Sequence, residues 1–150
     1  MNRFALRKGT TRYLRSVAAL MAVVAASLYV VSAAHLSGHS TKAISGQGAG
    51  LPEAIIAVVL SGGAFVVWRS SPRARPVGLA TVGFAIFGFL VGLHFTIGGG
   101  DPADLAYHLV TLPVLVGLFV ALLRLRPSVP RPSGQDRPRS APVSAVGDPS

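Results

Sequence analysis

The stretch VGLATVGFAIFGFLVGLHFTI, residues 77–97, runs without an acid, a lysine or an arginine. At about 1.5 Å rise per residue, a helix of this length crosses a hydrocarbon core about 30 Å thick. The apolar residues are continuous rather than alternating, which rules out a strand of a membrane barrel. Three more runs have the same character: VAALMAVVAASLYVVSAA (17–34), LPEAIIAVVLSGGAFVVW (51–68) and ADLAYHLVTLPVLVGLFVALL (103–123). The sequence therefore predicts an all-α integral membrane protein, a bundle of four transmembrane helices spanning about 17–37, 51–68, 77–97 and 103–123.

Composition agrees. Charged residues make up 13% of the chain, with a mean hydropathy of +0.56, where a soluble domain carries about 25% charge. There is no cysteine, which removes disulfides, thiolate metal sites, redox CxxC motifs and a lipoprotein anchor. Arginine greatly outnumbers lysine, beside abundant Ala, Val, Gly and Pro. That bias is typical of a GC-rich genome and points to a bacterium.

The net charge of +9 resembles that of a nucleic-acid binder, but its distribution says otherwise. Arg3, Arg7, Lys8, Arg12 and Arg15 precede the first span. Arg69, Arg73 and Arg75 separate the second from the third. Arg124, Arg126, Arg131, Arg137 and Arg139 follow the fourth. In a four-span arrangement all of these lie on one side, and Lys42 alone lies on the other. The positive-inside rule then puts both termini in the cytoplasm and the chain in the cytoplasmic (inner or plasma) membrane. Its partners are the lipid bilayer and another membrane protein or a second copy, not nucleic acid. Trp68 suits the inner interface and Tyr107 the outer belt.

The chain divides into a basic cytoplasmic segment (1–16), the transmembrane domain (17–124) and a Pro/Arg-rich tail (125–150), which is too poor in apolar residues to fold and is expected to be disordered. The outer loop GHSTKAISGQGAG (38–50) is read as flexible. The basic start, the apolar run and Ser32-Ala33-Ala34 also resemble a secretory signal. The run exceeds the roughly 7–15 residues of a signal core, so an uncleaved helix is expected. Cleavage would leave three spans in the same orientation.

Small residues mark helix contacts in lipid. Ala18, Ala22, Ala25, Tyr29 and Ser32 are expected on the packed face of the first span, with Val17, Leu20, Val24 and Val31 towards lipid. Ser61-Gly62-Gly63-Ala64, Gly83, Gly88 and Gly92 are expected to pack within the bundle. Pro113 is expected to kink the fourth span.

The polar residues gather at the outer end. His94 and His108 come at similar depth, ~10 Å and ~8 Å from the midplane, and His35 at ~14 Å. His39 lies beyond the interface. His94, His108 and His35, with Glu53, Asp101 or Asp104 nearby, form the candidate metal-ligand set. Imidazole and carboxylate suit zinc or copper(II), and a histidine pair across two helices suits haem. Against this, histidines near an interface also satisfy backbone carbonyls or meet water, and the spacing matches no specific metal signature. In GGGDPADLAYH (98–108), Asp101 is the expected N-cap, Pro102 the first helical residue, and Asp104 the negative charge in the first turn. These make a structural helix start. A short echo links His35-Leu-Ser-Gly and Leu-Pro-Glu with His94-Phe-Thr-Ile-Gly and Asp-Pro-Ala-Asp, in sequence biased enough to produce it by chance.

No Walker loop, nucleophile elbow or thiol is present, and the sequence requires no cofactor. No Asp, Glu, Lys or Arg lies mid-span, which counts against a small transporter or channel driven by protons. The sequence favours a non-catalytic accessory, scaffold or assembly subunit over an enzyme. A module binding a metal, haem or quinone through the outer histidines is the alternative.

Overall fold

The computed structural model describes residues 3–37, 46–98 and 102–125. It is all-helical: α1 (Arg3–Leu36), α2 (Gly46–Trp68), α3 (Ala74–Ile97) and α4 (Pro102–Leu123). Each helix is long and apolar enough to cross a membrane. α1 starts inside the basic segment, and α2 starts within the stretch read as loop, so both extend beyond their apolar runs. The tail from residue 126, His39 and Asp101 lie outside the described residues. Pro113 is accommodated inside α4, which continues helical to Leu123.

The helices form a ring in chain order. α1 packs along α2, α2 against α3 and α3 against α4; α4 closes on α1 through the sparsest interface, and among the described residues neither diagonal pair brings its backbones close together. Hydrogen bonds and ring contacts define two opposite ends. At one end the start of α1 meets the end of α4, where Tyr13 O–H donates to the Ala121 carbonyl at 3.2 Å. Arg75 of α3 donates from Nε and Nη2 to the Leu122 and Leu123 carbonyls at 3.3 and 3.4 Å. These are carbonyls that a helix end leaves without intrahelical partners. Arg15 lies over the Trp68 ring, 5.8 Å from its centre. The other end gathers the last turns of α1 and α3 and the first turns of α2 and α4.

The core face of α1 is Leu14, Val17, Ala18, Met21, Val24, Ala25 and Leu28, spaced at three and four residues. This differs from the expected face. Val17 and Val24 are buried, whereas Ala22 and Tyr29 are exposed. The reason is that α1 serves two neighbours, α2 and α4, so its packed arc is centred between them rather than on the alanines. Across the ring, Leu60, Val67, Val82, Leu115 and Leu122 are fully buried. The outer surface stays apolar: Val23, Val30, Phe65, Phe87, Phe95 and Val110 are all more than half exposed. A helix bundle in water presents polar residues there; one in lipid does not.

Three glycines set the closest approaches. A Cβ on Gly63 of α2 would collide with Thr81 of α3, and one on Gly88 would collide with Ile56 of α2. A Cβ on Gly92 would come within 2.7 Å of His108 Nε2 on α4. Gly88 and Gly92 thus serve two different neighbours inside the bundle rather than one external face. Gly62, next to Gly63, has open space around it.

The adjacent pair offers a test. Gly63→Ala forces a stiff β-branched neighbour to move and is expected to cost about 1–3 kcal/mol, the usual range for overpacking. Gly62→Ala should be neutral or stabilise by up to about 1 kcal/mol through helix propensity. Denaturant unfolding in mixed micelles measures both.

Candidate functional site

The end opposite the arginines carries the polar side chains, and all four helices contribute to it. α1 delivers Ser27, Ser32 and His35 from its last three turns. Ser32 O–H donates to the Gly50 carbonyl at 2.7 Å, which ties α1 to the start of α2. One turn on, His35 Nδ1–H donates to Glu53 Oε2 at 2.7 Å. The side chains of His35 and Glu53 are only 11% and 13% exposed. In that setting a charge-assisted hydrogen bond is shielded from competing water.

α3 and α4 supply the other half. Thr96 Oγ1 lies 2.8 Å from Asp104 Oδ2 and 3.1 Å from the Gly92 carbonyl. Its single proton goes to the closer, charged acceptor. His108, buried, donates from Nδ1 to the backbone carbonyl of Asp104 at 2.9 Å. Nδ1 also lies 3.5 Å from Asp104 Oδ1, yet its proton is already committed to the carbonyl. Asp104 Oδ1 is consequently a buried acceptor with no hydrogen-bond partner among the described residues. The His108 ring packs against Phe89 at 5.2 Å and Tyr107 at 6.2 Å between centres.

Tyr107 bridges the sparse α1–α4 interface. Ser27 donates its one proton to the Val24 carbonyl at 2.8 Å, so the 2.9 Å contact between Ser27 Oγ and Tyr107 has the phenol as donor. Tyr107 is half-buried in the bundle.

The sequence-derived ligand candidates are placed as follows. His35, Glu53 and Asp104 come together: one potential ligand atom from each lies within 4.8 Å of the others. His108 stands beside Asp104 but turns Nε2 towards Gly92. His94 is exposed, and its ring meets the neighbouring Phe95 edge-on at 5.6 Å. His94 and His108 therefore share a depth without sharing a site. Pro102 opens α4 and Asp104 lies in its first turn, where a carboxylate complements the helix dipole. The sequence alone does not mark Thr96, Ser27 or Tyr107 as site residues, and their hydrogen bonds across helices come from the fold. For Thr96 the one signal is its place as the hydroxyl two residues after His94 in the echo between the two hairpins. The first hairpin joins its acid to the histidine and the second joins its acid to the hydroxyl.

A double-mutant cycle on Ser27→Ala and Tyr107→Phe is expected to give a coupling of about 0.6 kcal/mol, typical of interhelical hydrogen bonds in membranes. Additive effects of the two substitutions would show that the contact does not join α1 to α4. Comparison with protein-family models, with curated proteins and with solved structures finds no match for this chain.

Proposed function

We propose that this is a multi-pass protein of the bacterial cytoplasmic membrane, with both termini in the cytoplasm. It acts as a non-catalytic accessory or assembly subunit for another membrane protein. One observation carries this reading. On the outside of the α1–α2 pair, Ala18, Ala19, Ala22, Ala26, Ser61 and Ala64 line an open groove of about 370 Å³, beside the exposed rings of Tyr29, Phe65 and Trp68. Helices associate in lipid through close packing at small residues, because hydrocarbon provides no hydrophobic drive between them. The groove offers such a surface to a passing transmembrane helix, with aromatic side chains at hand to pack against it.

A photo-reactive residue at position 22 is expected to capture a partner polypeptide in native membranes, and Ala22→Trp should abolish co-purification. Adducts with lipid alone, together with a strictly monomeric protein, would overturn the proposal. An adduct at twice the 15.5 kDa chain mass would replace the foreign partner by a second copy.

The orientation rests on the arginines. Arg12, Arg15, Arg69, Arg73, Arg75 and Arg124 all belong to the same end of the ring, the arrangement that positive-inside insertion produces. The chain has no cysteine, so single introduced thiols report cleanly. Gly38→Cys should react with a membrane-impermeant maleimide in intact cells, and Ser140→Cys only after lysis. The reverse pattern would invert the topology.

A further inference from the structure

We infer that His35, Glu53 and Asp104 form a binding site for a first-row divalent transition metal of the zinc type, at the arginine-poor end of the bundle. The three come from three different helices, α1, α2 and α4, and offer one ligand atom each within 4.8 Å of one another. Ligands of a four-coordinate zinc, with bonds of about 2.0–2.2 Å, sit roughly 3.3 Å apart. Closing on an ion thus needs only small side-chain movements. The 2.7 Å His35–Glu53 contact relaxes outward and Nδ1 gives up its proton to coordinate: a neutral ring then carries its one N–H on Nε2, while an imidazolium releases a proton to solvent.

Three further observations point to a cation. Asp104 Oδ1 is buried and accepts no hydrogen bond among the described residues, which is costly for an ionised oxygen unless something positive meets it. Charge also balances: two carboxylates close together in a sheltered site repel, and one divalent ion beside a neutral imidazole brings the set to zero. The described arginines are at the other end of the bundle and cannot do this. Finally, the supporting shell is in place. Thr96 O–H holds Asp104 Oδ2 at 2.8 Å, and His108 holds the backbone of the same residue through its carbonyl at 2.9 Å. Outer hydrogen bonds of this kind orient metal ligands.

One imidazole and two carboxylates form a nitrogen–oxygen donor set. It favours a borderline transition metal over calcium, which takes six to eight oxygens, and over magnesium, which keeps its waters. Three protein donors leave a fourth position open to water.

The test uses the full chain in detergent micelles, stripped with chelator and titrated with Co²⁺, whose visible absorption reports nitrogen and oxygen coordination. Zn²⁺ then serves as competitor. The expected result is one Co²⁺ per chain, displaced by Zn²⁺ and not by excess Mg²⁺ or Ca²⁺. His35→Ala and Asp104→Asn should each weaken binding about tenfold or more, and Thr96→Val by about tenfold. His94→Ala should leave binding unchanged. Wild-type protein of full helical content that takes up neither ion at micromolar concentration would overturn the site, whatever the variants do. So would uptake that survives both His35→Ala and Asp104→Asn, that depends on His94, or that yields to Mg²⁺ or Ca²⁺.

Discussion

The close approach of helix backbones at glycine is the contact on which the rest of this structure depends. Gly63 admits Thr81, Gly88 admits Ile56 and Gly92 admits His108. Helices in hydrocarbon gain little from hiding apolar side chains from one another, since lipid is as apolar as leucine. What remains is dispersion, which falls steeply with separation and so rewards backbones that come close. The Gly92 contact has a second consequence. By admitting the His108 ring between α3 and α4, it lets Nδ1 reach back to the Asp104 carbonyl, and the first turn of α4 is held next to Thr96.

The two ends of the ring solve the problem of helix termini in different ways. At the arginine end, side chains from α1 and α3 reach the last carbonyls of α4, and Arg15 and Arg69 lie over aromatic rings. Cations at a helix C-terminus complement its dipole. At the other end Ser32, His35 and Glu53 join α1 to α2, and Thr96 joins α3 to α4. The closure between α1 and α4 is sparse by comparison and relies on a tyrosine at each end, Tyr13 and Tyr107. Each half of the ring is therefore a hairpin closed by its own acid. The two acids, Glu53 and Asp104, meet where the hairpins meet.

Much of this was legible in the residues. The run 77–97 and its three counterparts specify apolar helices because no other spanning structure satisfies every backbone group within one segment. Gly88 and Gly92 were readable as packing positions, although not which neighbour each would face. The packed arc of α1 includes Val17 and Val24, which residue size does not reveal, because small size marks where a helix can approach and not which side has two neighbours. The early start of α2 is not legible in residues 46–50, which are poor in helix formers; the Ser32 bond to the Gly50 carbonyl and Leu36 packed against that glycine hold this first turn.

The sequence alone determined the class: four helices apolar enough for a membrane, with basic residues gathered at one set of ends. Length, hydropathy and charge position are properties of a linear chain, and they need no partner to be read. The composition of the polar site was decided only by tertiary structure. His94 and His108 share a depth, and depth follows from counting residues. Whether two side chains meet depends on helix rotation, which is set by which glycine faces which neighbour. That rotation turns His94 outward, turns His108 Nε2 to Gly92, and brings His35, Glu53 and Asp104 together from three helices.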